Sequence, residues 1–278
     1  MMALSADRPT GWQLPTGKLL QLCTAWLCLC IIAPTLLATP NIAFEVVARY
    51  PHRSTAFTQG LELIGDTLYE SSGLYGKSFV ARWQLRDEAP IATRRIAPEY
   101  FAEGLTVLGE RLYLLTWQSG IGLVLNTKTF AHEATFTYPG EGWGLTHNQR
   151  QLIMSDGSNR LRFLDPQTLR EMSTLAVTEH GQPVDDLNEL EWIDAGIIAA
   201  QPRLLANIWK RDRIVVIDPV SGTVTAQIDL DKLYPQHNRR SNEDVLNGIA
   251  YDAADNTLLV TGKLWRYLWR IRLLQPLP

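Results

Sequence analysis

Five short segments of this 278-residue chain can be laid over one another, and their centres are chemically unlike. They are Phe57-Thr-Gln-Gly-Leu61, Phe101-Ala-Glu-Gly-Leu105, Glu141-Gly-Trp-Gly-Leu145, Asp186-Leu-Asn-Glu-Leu190 and Val245-Leu-Asn-Gly-Ile249. The frame repeats, but the central residue is in turn Gln59, Glu103, Trp143, Asn188 and Asn247. A set meant only to pack would be small or apolar. This one offers one carboxylate, three amides and one indole, which suits a concave site for a small ligand. Three more residues stand at the ends of later apolar runs: Trp117 after Leu114-Leu-Thr, Trp209 after Ala206-Asn-Ile, and Lys263 after Val260-Thr-Gly. They add aromatic walls and a cation to the candidate set.

The elements that would hold these residues follow from the spacing. The central positions are 44, 40, 45 and 59 residues apart. After each comes an apolar run, a tight polar turn and a second run, as in Leu63-Ile-Gly-Asp-Thr-Leu-Tyr69 and Val107-Leu-Gly-Glu-Arg-Leu-Tyr113. That is a β-hairpin. A third strand signal follows at Phe79–Gln84, Ile121–Leu125, Leu161–Leu164, Arg213–Ile217 and Tyr267–Arg272. A fourth follows at Pro90–Ile96, His132–Thr137 and Thr223–Asp229. Units of about 40–45 residues with four short strands read as propeller blades. The expected fold is all-β, a five-bladed β-propeller over residues 39–278. The last unit runs short of an outer strand after Ile271. The alternation of Phe44, Val46, Ala48 and Tyr50 marks a strand that could fill that place and close the ring. An insertion near Leu230–Val245 reads as a surface loop. A β-sandwich is the competing architecture, disfavoured by the recurrence of one pattern at the start of every unit.

The innermost strand of each blade faces the central channel, so the five centres form a ring at its mouth. Other motifs carry less. Gly73-Leu-Tyr-Gly-Lys-Ser78 lacks the first glycine of a phosphate loop, and no helix pattern follows. Gly140-Glu-Gly-Trp-Gly144 leads into a strand rather than a helix. The five histidines have no ligand spacing. No Gly-x-Ser-x-Gly nucleophile motif occurs. Asp185, Asp186, Glu189 and Glu191 read as a solvated acidic turn, since the glycine-bearing calcium-loop pattern is missing. Lys plus Arg is 26 against 29 Asp plus Glu, so no basic excess points to nucleic acid.

Leu19–Ala38 is apolar and follows Lys18, which reads as a signal peptide over residues 1–38. Its length of about 20 residues would also suit an uncleaved anchor, and that would be the chain's one membrane contact. Cys23, Cys28 and Cys30 all lie in this segment. The processed chain would then hold no cysteine and rely on its core alone. A periplasmic or secreted location is expected.

The chain resembles the plant and bacterial type of glutaminyl-peptide cyclotransferase over about Phe44 to Arg272. The resemblance rests on Phe57-Thr-Gln-Gly-Leu-Glu62, Tyr69-Glu-Ser-Ser-Gly-Leu-Tyr75, Phe101-Ala-Glu-Gly-Leu-Thr106, Leu115-Thr-Trp117 and Gly142-Trp-Gly-Leu-Thr146. It continues in Leu187-Asn-Glu-Leu-Glu-Trp192, Asn207-Ile-Trp209, Leu246-Asn-Gly-Ile-Ala250 and Thr261-Gly-Lys-Leu-Trp265. Each motif alone is weak; nine in order are specific. The family usually continues Lys-Leu-Trp with Pro, where this chain has Arg266.

The resemblance implies a five-bladed propeller. It also implies conversion of an N-terminal glutamine to pyroglutamate with release of ammonia and without a catalytic metal. A monomer taking peptides or proteins that begin with glutamine is expected, with no required cofactor; a structural ion held by backbone carbonyls in the channel is compatible. Carried over by motif, Glu103 is the acid/base. Gln59, Asn188 and Lys263 are binding groups, and Trp117, Trp143 and Trp209 are walls. Lys263, Asn188 or an indole N–H would stabilise the tetrahedral oxygen. Glu62 and Glu70 are the rival carboxylates. Glu62, three residues beyond Gln59, is expected to point away from the channel, and Glu70 to lie near the rim. A non-catalytic propeller that binds a small ligand or peptide is the alternative, and a protein–protein scaffold a third reading.

Overall fold

The computed structural model describes residue 11, residues 38–87 and residues 89–278. All of the expected signal or anchor except Gly11 and Ala38 lies outside the described residues, and so do the three cysteines.

Strand β1 is Phe44–Pro51. The first blade is β2 (Thr58–Ile64), β3 (Thr67–Ser72), β4 (Phe79–Gln84) and β5 (Ala92–Arg95). The second is β6 (Ala102–Leu108), β7 (Arg111–Thr116), β8 (Ile121–Asn126) and β9 (His132–Thr137). The third is β10 (Leu145–His147), β11 (Leu152–Met154), β12 (Arg160–Leu164) and β13 (Glu171–Ala176). A short hairpin of β14 (Thr178–Glu179) and β15 (Gln182–Pro183) leads to the fourth blade. That blade is β16 (Leu187–Ile193), β17 (Arg203–Ile208), β18 (Arg213–Ile217) and β19 (Val224–Asp229). The fifth holds β20 (Leu246–Asp252), β21 (Thr257–Gly262) and β22 (Tyr267–Leu273), and takes β1 as its outer strand, in the order β1-β22-β21-β20. The five-bladed propeller read from the sequence is the fold, and the N-terminal strand closes it.

The apolar residues divide into five clusters, each lying in a seam between neighbouring blades. Tyr69 and Val80 meet Leu105 and Leu114; Tyr113 and Leu115 meet Leu145 and Met154; Ile153 and Leu161 meet Leu190 and Leu204. Leu205 and Val216 meet Ile249 and Val260, and Leu259 and Leu268 meet Leu61 and Leu68. Each blade hides its faces only against its neighbours, so the ring stands or falls as a whole.

Three local expectations need correction. The fourth strand of the third blade, β13, gave no sequence signal because both its faces are largely exposed, so its residues do not alternate. In β1 a bulge between Val46 and Ala48 breaks the expected alternation and leaves Val46 half exposed. The insertion is more than a surface loop. It contains a 3₁₀ turn at Gln236–Asn238, and its Tyr234 is buried against Trp265, with ring centroids 4.6 Å apart. Its buried Asp244 carbonyl accepts the Trp265 indole N–H at 3.1 Å.

Where β1 leaves the fifth blade, His52 enters the seam with the first. Its Nε2 lies 3.0 Å from Glu70 Oε1, its Nδ1 lies 2.9 Å from the Trp265 carbonyl, and both side chains of the pair are buried. Thr58 Oγ1 also donates to Glu70 Oε1 at 2.6 Å. Glu70 is thus sealed inside a seam and does not reach the rim. Burial alone would lower the His52 pKa, but the charge and hydrogen bond of Glu70 outweigh it and raise it. The proton is held more tightly folded than unfolded. Its stabilisation is complete below about pH 6.5 and is lost as the pH rises through the folded value. Removing the partner of a buried carboxylate costs about 3 kcal/mol or more. His52→Leu should therefore lower the melting temperature by roughly 6–12 °C, at about 2–4 °C per kcal/mol. The gap from wild type should narrow as the pH rises above 6.5; equal melting curves would contradict the pairing.

Candidate active site

The inner strands carry a repeated irregularity where the motif centres lie. Register slips occur between Thr58 and Gly60, Ala102 and Leu105, Leu187 and Leu190, and Leu246 and Ile249. Each inserts an extra residue, and such bulges re-aim side chains. Gln59, Glu103 and Asn188 thereby turn toward one end of the channel. The neighbouring inner strands come very close there. A Cβ on Gly60 would collide with the backbone of Leu105, and one on Gly104 with the backbone around Leu145. This is why glycine follows the central residue in most blades.

The fourth blade has Glu189 in that place. Its carboxylate crosses the channel, accepting from the Leu61 N–H at 3.3 Å and the Ile249 N–H at 2.8 Å. It forms a floor beneath the ring. Glu62 and Glu191 lie beyond it, accepting from the N–H groups of Val107 at 2.6 Å and Tyr251 at 2.7 Å. Glu62 therefore faces the channel after all, at its opposite mouth, because the bulge at Gln59 shifts the face of every residue after it. Glu189 and Glu191 are buried rather than solvated, whereas Asp185 and Asp186 are exposed as expected. Among the described residues no three His, Cys, Asp or Glu side chains converge on a metal-binding geometry.

The walls are set by a second repeated feature. The residue after the second strand donates its N–H to the carbonyl two positions before the motif centre. Trp117 bonds Phe101 at 3.0 Å, Trp209 bonds Asp186 at 2.9 Å and Lys263 bonds Val245 at 2.9 Å. In the first blade the same bond runs from Gly73 to Phe57, 2.9 Å. The result is a cavity of about 320 Å³ lined by Phe57, Gln59, Phe101, Glu103, Trp117, Trp143, Asn188, Trp209, Glu243 and Lys263. The rings meet edge to face: Phe101 with Trp117 at 5.6 Å, and Trp143 with Trp209 at 5.6 Å. Seven of the eight residues singled out in the sequence line this cavity. Asn247 stays beneath it, with its Nδ2 donating to Gln59 Oε1 at 3.2 Å and to the Thr58 carbonyl at 2.9 Å.

Glu103 is the buried acid. Its Oε1 accepts from Gln59 Nε2 at 2.9 Å. Because Asn247 fixes the Gln59 oxygen, the amide must offer its NH₂ to Glu103. Among the described residues Oε2 has no hydrogen-bond partner. Burial pushes the carboxyl well above the usual carboxylate range; the Lys263 ammonium pulls it back, and the charge of Glu141 adds to the rise. Burial lowers the Lys263 pKa in turn, opposed by the charges of Glu103 and Glu243. Lys263 Nζ lies 4.9 Å from the Phe57 ring centroid. At the rim, Glu243 pairs with Lys210 at 2.9 Å, and Lys210 lies over the Trp209 ring at 4.2 Å.

Glu141 was missed in the sequence as anything but a motif frame residue. Its Oε2 accepts the indole N–H of Trp117 at 2.6 Å and of Trp143 at 2.9 Å, while Gln118 Nε2 donates to Oε1 at 2.9 Å. Burial would raise its pKa, but these bonds lower it, so it stays ionised. One carboxylate thus fixes two walls, and neither of those indoles is left free to donate to a ligand. Phe57, Phe101 and Glu243 were also missed. The aromatic pair had a signal, since both open their motifs two residues before the centre.

An ionisable group sunk in an aromatic pocket at one mouth of a propeller channel defines a propeller with a small-ligand site. Comparison with known proteins narrows the class. The family model for glutamine cyclotransferase matches residues 21–273. The chain is 40% identical over 235 residues to the glutaminyl-peptide cyclotransferase of Arabidopsis thaliana, covering 83% of this chain and 71% of that protein. The crystal structure of Myxococcus xanthus glutaminyl cyclase matches with a TM-score of 0.77 at 34% identity, over 84% of this chain and 98% of that one. The chain belongs to the glutamine cyclotransferase family.

Because Glu141 is only partly buried, Glu141→Ala should leave the fold intact while releasing both indoles. In ¹H–¹⁵N spectra the indole signals of Trp117 and Trp143 should shift upfield and exchange faster with solvent. The Glu103 pKa should fall as a negative neighbour is removed. Unchanged indole signals would contradict the clamp.

Proposed function

We propose that this chain cyclises the N-terminal glutamine of peptides and proteins to pyroglutamate, releasing ammonia, with Glu103 as the single acid/base. The observation that carries the reading is the Oε2 of Glu103, an oxygen of a buried residue that has no hydrogen-bond partner among the described residues and belongs to an aromatic-lined pocket. The family of the chain and the names of its relatives support the same activity.

The reaction is intramolecular, so the pocket's main task is orientation. The glutamine side chain folds back between the Trp143–Trp209 and Phe101–Trp117 walls, bringing its α-amine to its amide carbon. The amine must be neutral to attack, and free α-amines titrate near 7.7–8.0. A carboxyl raised by burial comes closer to that range and exchanges a proton with the amine at less expense of free energy. As the new C–N bond forms, Glu103 Oε2 takes a proton from the attacking nitrogen. The same proton then goes to the departing nitrogen as the old C–N bond breaks, and ammonia leaves. Glu103 ends as it began. The negative charge that builds on the amide oxygen falls to Lys263 Nζ, Asn188 Nδ2 or the Trp209 indole N–H, since the Trp117 and Trp143 indoles are committed to Glu141. Every step uses side chains alone, so no catalytic metal is invoked.

Glu103→Gln keeps the Gln59 contact but cannot move a proton. Its turnover, followed as ammonia released from a glutaminyl peptide, should fall about 10²–10⁴-fold with KM changed far less. Near-normal turnover would overturn the assignment. In the same assay, wild type should keep its activity in EDTA; loss restored by zinc would contradict a metal-free mechanism. A lowered melting temperature with retained turnover would instead identify a structural ion.

We further propose that residues 1–38 direct export and that the propeller works in the periplasm or outside the cell. The apolar run and the confinement of all three cysteines to it support this. The mature chain should begin between Ala38 and Phe44 by mass spectrometry. A chain starting at Met1 in the membrane fraction would identify the anchor, and one in the cytosol would refute export.

A further inference from the structure

The first blade breaks the pattern that builds the pocket walls. Where other blades place Trp117, Trp209 or Lys263, it has Gly73, and the Phe101 ring fills the space a side chain would need. Two residues later Tyr75 stands half exposed, at 49%, with its ring edge-on to Phe101 at 5.5 Å and 75°. Among the described residues its hydroxyl makes no hydrogen bond.

The segment that presents Tyr75 is held rigidly. Leu74 has a φ of +89°, a conformation that costs a bulky residue about 1–3 kcal/mol. Its carbonyl accepts from the Lys77 N–H at 2.9 Å and from Ser78 Oγ at 2.9 Å. Gly76 N–H donates to the Pro98 carbonyl at 3.0 Å. Buried Ser78 then accepts the Ala102 N–H at 3.0 Å, tying the turn to the inner strand that carries Glu103. An exposed aromatic ring on a strained, braced turn is not explained by core packing. Such strain gathers at ligand clamps, and a fixed ring binds without losing further side-chain freedom.

The pocket's 320 Å³ lies at the small end of ligand cavities, which run about 300–1,000 Å³. It takes the folded-back glutamine, and the rest of a peptide must leave over the rim. The rim near Trp209 is charged, with Lys210 and Glu243, while the rim beyond Phe101 is aromatic. We propose that Tyr75, backed by Phe101, is a subsite for the second residue of the substrate, selecting planar and apolar side chains there. This rests on the cyclotransferase reading and names its substrate class more narrowly.

The test compares glutamine amide, Gln-Gly amide and Gln-Phe amide with wild type, Tyr75→Ala and Tyr75→Phe. Wild type should prefer Gln-Phe amide. Tyr75→Ala should lower kcat/KM for it about three- to tenfold, the range of one aromatic pair. Its values for the other two substrates should stay within about twofold, and Tyr75→Phe should behave as wild type, because the hydroxyl takes no part. An equal loss on all three substrates, or no loss on any, would overturn the subsite. If wild type released no ammonia from any of them, the enzyme reading would fall. Direct titration would then decide the subsite: tighter binding of Gln-Phe amide than Gln-Gly amide, abolished in Tyr75→Ala, upholds it, and equal binding overturns it.

Discussion

A carboxyl group taken out of water needs either full hydrogen bonding or a proton, and Glu103 is given only half of the first. Gln59 satisfies one oxygen, and among the described residues the other has no hydrogen-bond partner. Much of the architecture around it can be understood as making that state tolerable. Lys263 supplies a positive charge close enough to pull the pKa down, yet it is itself buried and so a weaker cation than a surface lysine. Glu141 works in the opposite direction from the rim. The carboxyl is held between these influences, where taking and returning a proton are both accessible.

That balance depends on geometry that no single blade can supply. Gln59 comes from the first blade, Glu103 from the second, Trp143 from the third, Asn188 and Trp209 from the fourth, and Lys263 from the fifth. Ser71 of the first blade donates its hydroxyl to the Glu103 carbonyl, and Ser155 of the third donates to that of Asn188 at 2.7 Å. The inner strands are thus cross-linked at the level of the ring. Stability and function share this constraint: the seam at His52 and Glu70 that closes the propeller also fixes Thr58, the residue before Gln59. Glu189 completes the pocket from below by bridging blades one and five.

The repeats made most of this legible in the sequence. A position that varies chemically inside a conserved frame is conspicuous, which is how Gln59, Glu103, Trp143 and Asn188 stood out. Trp117, Trp209 and Lys263 shared a place after the second strand. What stayed hidden depended on local breaks in periodicity or on contacts between units. Alternation placed Glu62 outside the channel, but one bulged residue reverses that inference. Glu141 looked like a frame residue because its role is to receive protons from two tryptophans that the linear order does not bring together. The insertion read as loop because its anchors, Tyr234 and Asp244, are single residues in a polar run.

The central claim is that Glu103 titrates far from an ordinary carboxyl because burial dominates its environment. Isotope-edited infrared titration measures this directly. The protein is labelled with ¹³C at glutamate carboxyls, and the spectrum of Glu103→Gln is subtracted at each pH. The account predicts that the Glu103 carbonyl stretch of the protonated acid persists well above pH 4.5, after the exposed glutamates have ionised. Conversion to carboxylate together with those exposed groups would contradict it.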